Sequence, residues 1–246
     1  SYMLSEIRKI SSLLLSVAFS SIGFIASITV TVLAAREVSS NPLFVGFPNA
    51  VGVGGAVLGT RMIYLISKNN SQLNALAFTF LIGAFGGAIM FYSLIVDSFV
   101  MLLFGAFILG IGQSATLQTR YAASFVASEK FKATALSLAV WFSVFGSVFG
   151  PRMVGSYSNF FENIFNSELI VGYVIALVGM LFAASSLFIF TSKKSILRSP
   201  SNLESESNNQ NSNKKNGNLL SLLLVLNHFT MVVIMSATPL HIQDIG

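Results

Sequence analysis

Cysteine is absent from the 246 residues, and with it go disulfide frameworks, thiolate metal sites and cysteine nucleophiles. The redox character of the compartment leaves no trace in such a chain. Charge is scarce as well: Asp, Glu, Lys and Arg make up 9% of the residues, against roughly 25% in an ordinary soluble domain. Histidine occurs at His228 and His241, and neither has a carboxylate beside it inside an apolar run. Patterns such as H-E-x-x-H are missing, which argues against an intramembrane enzyme. The acids Glu6, Glu37, Asp97, Glu129, Glu162, Glu168, Glu204, Glu206 and Asp244 all fall at the ends of apolar runs or between them, so no buried carboxylate relay is expected. No metal site or cofactor is expected either.

Apolar residues fill the space, at 54% of the chain and a mean hydropathy of +0.76. Runs of spanning length lie at about 11–34, 43–66, 73–96, 99–122, 134–157, 169–191 and 219–240. Each is close to the ~20 residues that cross about 30 Å of hydrocarbon as a helix. The first follows Arg8 and Lys9 and ends in "VLAA", but it exceeds the roughly 7–15 apolar residues of a secretory signal, so a retained helix is expected. The formal charge of +5 is strung out in short gaps between these runs, a placement that suits membrane topology rather than nucleic acid.

Counting those gaps orients the chain. Arg8 and Lys9 precede the first span, Lys68 follows the second, Lys130 and Lys132 separate the fourth and fifth, and Lys193, Lys194, Arg198, Lys214 and Lys215 follow the sixth, whereas the alternate gaps hold Arg36 and Arg152. The N-terminus and the segment after the sixth span are therefore expected in the cytoplasm of a multi-pass cell-membrane protein. Three regions follow: six spans over 1–191, a linker over 192–218 and a seventh span within 219–246. Rich in Asn and Ser and poor in apolar residues, the linker buries too little surface to offset ordering; its serines leave a phosphorylated or partner-binding tail as the alternative.

Glycines recur four apart at Gly55 and Gly59, Gly83 and Gly87, and Gly146 and Gly150, a spacing that puts each pair on one helix face and predicts close helix packing. The run "VGVGGAVLG" (51–59) has Val57 where a dinucleotide loop needs glycine and no strand before it, so packing is the expected role there too. In the fifth span Gly150 weakens a turn and Pro151 removes its N–H, predicting a bend covered by a neighbouring helix.

The pattern Gly146-x3-Gly150-Pro151-x2-Val154-Gly155 resembles the fifth-helix motif of the major facilitator superfamily, with Val154 at a glycine position. "GAFILGIGQSATLQTRYAAS" (105–124) and "EKFKATALSLAVWFSVFGSVFGP" (129–151) resemble the fourth and fifth helices of a bacterial branch in which an arginine, here Arg120, closes helix four, and "HFTMVVIMSATPLH" (228–241) is similar to the first helix of its second half. The family's loop signature G-x3-D-R-x-G-R-R aligns with Gly59 to Lys68; Gly59 and Lys68 match, while Ile63 replaces the acid, Tyr64 an arginine and Ile66 the glycine. The resemblance implies an all-α integral membrane protein: a six-helix half bundle, a cytoplasmic linker and a seventh transmembrane helix. It further implies secondary active transport of a small organic solute by alternating access, of a kind that goes with export by antiport, commonly against protons. Since that fold has two six-helix halves, the chain is expected to be a fragment or truncated product of a transporter, with the missing half or another chain as partner beside the lipid bilayer. A non-transporting remnant or accessory subunit is the alternative.

Polar groups inside spans are costly and tend to face cavities or partners. Gln113, Thr116 and Arg120 share one arc of the fourth span, which makes them candidates to line a solute cavity; the alternative for Arg120 is snorkelling to headgroups. Asn227 and His228 in the seventh span join them, His228 either as a proton carrier or as an interhelical hydrogen-bonding group. Asn49 beside Pro48 and Trp141 are weaker candidates.

Overall fold

The computed structural model describes residues 2–39, 41 and 44–191. They fall within one compact unit. The linker expected over 192–218, the seventh span expected within 219–246, and the candidates Asn227 and His228 lie outside the described residues.

Every regular element among the described residues is helical. In chain order they are α1 (Tyr2–Val38), α2 (Phe47–Asn69), α3 (Gln72–Ile95), α4 (Phe99–Val126), a 3₁₀ turn (Glu129–Phe131), α5 (Lys132–Phe165) and α6 (Ile170–Thr191). Six of these stretches are long and apolar enough to cross a membrane, one for each of the first six runs in the sequence. Their ends are set by local chemistry. Pro48 begins α2 in its first turn, where a missing N–H costs nothing. Ser71 and Ser98 cap α3 and α4, each side chain accepting from the backbone N–H three residues on. Asn166 ends α5 in the left-handed conformation at φ 55°, which asparagine tolerates better than most residues.

Helices α1 and α5 overrun the hydrophobic limits read from the sequence by the most. α1 starts at Tyr2 rather than near residue 11, and α5 continues to Phe165 rather than stopping near 157. A membrane sets the minimum length of a span, whereas a helix stops where capping or backbone chemistry stops it. With 34 residues α5 extends about 51 Å at 1.5 Å per residue.

Helix α1 packs on α6, α5 and α4; α4 packs on α3, α2 and α1; and α3 packs on α6. The four helices α1, α3, α4 and α6 thus make a central block, with α2 laid on α4 and α5 laid on α1. Small residues make these approaches possible. A Cβ added at Gly83 would come within 2.7 Å of the Gly112 Cα across the α3–α4 seam, and one at Gly179 would come within 2.6 Å of the Phe19 carbonyl oxygen on α1. In the run "VGVGGAVLG", Gly52 abuts Gly110, Gly55 abuts Phe107 and Gly59 abuts Ile111 and Ser114, so it is the seam of α2 on α4.

Candidate solute-facing site

Helix α1 carries hydroxyls where the sequence reads as one greasy run. Ser16 donates to the Ala183 carbonyl on α6 at 3.2 Å, Tyr173 of α6 donates to Thr31 Oγ1 at 3.2 Å, and Thr116 of α4 donates to Ser20 Oγ at 2.9 Å. These bonds satisfy buried hydroxyls that lipid cannot satisfy and fix the register of α1 against its neighbours.

The Thr116–Ser20 bond marks where α1 crosses α4, and the candidate arc lies around it. On α4, Gly105 and Gly112 meet α3, while Phe107, Ile111 and Ser114 meet α2. At about 100° per residue, Gln113, Thr116 and Arg120 fall in the sector between those two contacts, toward α1. Thr116 is fully buried and spent on Ser20, whereas Gln113 and Arg120 are half-buried. Gln113 Oε1 and Arg120 Nε have no hydrogen-bond partner, although each atom is shielded from solvent. Ser21 Oγ is in the same condition on α1, with the residue 4% exposed.

Ser21 also marks the crossing with α5: a Cβ on Gly146 would meet the Ser21 backbone at 2.6 Å, and one on Gly150 would meet the Ala26 nitrogen at 3.1 Å. The Thr116–Ser20 bond and the approach of Gly146 to Ser21 thus bring α4 and α5 onto neighbouring residues of α1, with Gln113 and Arg120 on the same arc of α4 as Thr116. Sequence reasoning passed over Ser20 and Ser21; the signal was present, since hydroxyls at Ser16, Ser20, Ser27 and Thr31 with Gly23 between them recur at helical spacing.

Other candidates are placed differently. Pro151 is exposed and α5 passes through it as one helix. Gly155, which the resemblance groups with Gly146, Gly150 and Pro151 in the fifth-helix motif, stands in open space: a Cβ there would meet nothing within 4 Å. Past Gly150 no residue of α5 up to Phe165 is buried, so no neighbour approaches closely enough to require glycine. Gly59 and Lys68, expected in a loop signature, both lie on α2, and the connection to α3 is only Asn70 and Ser71. With Ile66 where the signature has glycine, nothing interrupts the helix. Asn49 is half-buried near the start of α2, and Trp141 is 69% exposed on α5.

The acids also needed the third dimension. Glu6, read as a residue before the first span, is 1% exposed, and its Oε2 accepts from the Ser128 N–H at 2.9 Å. Ser128 precedes the 3₁₀ turn that leads into α5, where backbone N–H groups lack intrahelical partners and favour a negative charge. Because α1 starts early, its first turns reach the α4–α5 corner and supply that charge.

Two curated proteins of Bacillus subtilis (strain 168), each described as an uncharacterized MFS-type transporter, are similar to this chain. YdeG is 26% identical over 242 residues, which are 94% of the chain and 56% of YdeG. YddS is 27% identical over 245 residues, 95% of the chain and 56% of YddS. The chain spans about half the length of these curated relatives. No family model matches it, and no solved structure does. Likeness to both proteins runs through nearly the whole chain, and spanning helices follow its apolar runs, so the chain is similar to transporters of the major facilitator superfamily.

Proposed function

We propose that the chain supplies half of a secondary transporter that moves a small organic solute across the cell membrane by alternating access. The observation that carries this reading is the group of buried, unpaired polar atoms on Ser21, Gln113 and Arg120. Such atoms at membrane depth are costly unless a solute, water or partner meets them. Transporters of this superfamily bind solute near the midplane, between two halves related by an axis along the membrane normal. One-sided attachment of α2 and α5 fits that plan, since it leaves helix surface for a second half to cover. That second half, beside the lipid bilayer, is the expected partner.

Gly146 and Gly150 seat α5 on α1, and Pro151, lacking the N–H that would reach Ser147, gives the helix a point of bending as the halves rock. The fifth-helix motif supports export by antiport, commonly against protons; a coupling proton would be carried by His228 or by a residue of the second half. Lys and Arg placement supports a cytoplasmic N-terminus and a cytoplasmic 192–218 segment.

Reconstitution into proteoliposomes tests the reading: solute flux coupled to an internal pH change is the expected result. A protein that inserts and folds yet moves no member of a broad solute panel is a remnant or accessory subunit. Since the chain has no cysteine, a single cysteine introduced in the 192–218 segment gives a clean topology test. Labelling by an impermeant maleimide from the cytoplasmic face supports the orientation, and labelling from the outside overturns it.

A further inference from the structure

We infer that the solute is an elongated organic anion, its acid group held by Arg120 and a distal hydrogen-bonding group held near Gln113; this rests on the transporter reading and adds the chemical class. The charge pattern points first to the anion. The six helices carry carboxylates at Glu6, Glu37 and Glu162, the first and last of these near helix ends and the second in the last turn of α1. Glu6 is engaged at Ser128, beyond the end of α4, and no acid lies on α2, α3, α4 or α6. Arg120 therefore brings a positive charge to a crossing whose flanking helices, α1 and α5, carry acids only at or near their ends, none of them paired with it. A planar guanidinium pairs best with a carboxylate, sulfonate or phosphate through two parallel bonds.

Length comes from helix geometry. Gln113 and Arg120 are seven residues apart on one arc, about 10 Å along the axis at 1.5 Å per residue. Thr116, between them, is closed off by Ser20, and half-buried Leu117 flanks the arc, so the middle of the site offers apolar surface and no free polar group on α4. The two unpaired groups are at the ends, with the Ser21 hydroxyl, also unpaired, on the facing helix. An acid at one end, a short apolar body and a hydroxyl or amide at the other match this spacing.

An acid group can reach Arg120 from a soluble solute or from a phospholipid headgroup, and the experiment separates the two. The protein is purified in detergent and its thermal unfolding is followed with ω-hydroxyoctanoate, octanoate, octanediol, the ω-hydroxyoctyl trimethylammonium cation and phosphatidylglycerol as probes. The expected result is stabilisation by ω-hydroxyoctanoate, binding weakened about tenfold or more by Arg120→Gln, as for loss of a charged hydrogen-bonding partner, and less by Arg120→Lys. Gln113→Ala is expected to weaken ω-hydroxyoctanoate but not octanoate, a selectivity that general loss of folding does not produce. Stabilisation by the cation or diol as strong as by the acid overturns the proposal, as does a response to phosphatidylglycerol alone or to no probe. The parent reading is scored separately in proteoliposomes. Flux of solutes indifferent to Arg120→Gln sinks the anion site and leaves transport standing, whereas acid binding without any flux leaves the site and sinks transport.

Discussion

Helices α3 and α5 are both apolar enough to span a membrane, yet 56% of the α3 spanning stretch is buried against 22% of that in α5. Hydrophobicity does not explain the gap, because in lipid an apolar side chain is content on either side of the interface. Small residues explain it better. In α3, Gly83 and Gly86 face α4 and Gly87 faces α6, so two neighbours close in on different sides. In α5, Gly146 and Gly150 face α1 alone. Helix α2 repeats the α5 pattern on α4 through Gly52, Gly55 and Gly59, and is likewise 22% buried. Helices with seams on two sides are built into the block, and those with one seam keep a free face.

The α2 seam is the most sensitive to substitution. Replacing Gly55 with leucine drives a side chain into the Phe107 carbonyl, backbone that cannot step aside; overpacking of this kind costs about 1–3 kcal/mol or more, and loss of most of the folded, detergent-stable protein in size-exclusion chromatography is the expected outcome. Next comes Glu6→Ala, which takes this acceptor from the half-buried Ser128 N–H, at a cost of roughly 1 kcal/mol. Equilibrium unfolding in mixed detergent micelles reads that loss, and Glu6→Gln should retain part of the stability because an amide oxygen still accepts. Thr116→Val removes the α1–α4 hydroxyl bond for about 0.6 kcal/mol, the mean for such pairs in a membrane bundle. A double-mutant cycle with Ser20→Ala isolates that pair from the volume changes. Gly155→Leu should be close to neutral, since its site is open; a loss as large as that at Gly55 shows instead that this face of α5 is covered.

Much of the architecture was legible because hydropathy is a sum over neighbours along the chain. Fifty-four per cent apolar composition with most charges between the runs fixes spanning helices, and the first six runs all appear as such among the described residues. The four-residue glycine spacing likewise foretold which faces of α2 and α5 come close to a neighbour, since helix periodicity puts those residues on one side, whereas in α3 the pair divides, Gly83 meeting α4 and Gly87 meeting α6. Partners were a different matter. Gly150 and Gly155 look alike in sequence, but only the first has a backbone within reach; Glu6 lies before the hydrophobic run, but a corner of chain more than a hundred residues away folds over it. Ser20 finds Thr116 while Ser21, beside it, finds no partner. Such distinctions depend on which non-neighbouring helix occupies each side and at what distance, and a one-dimensional pattern carries no term for either.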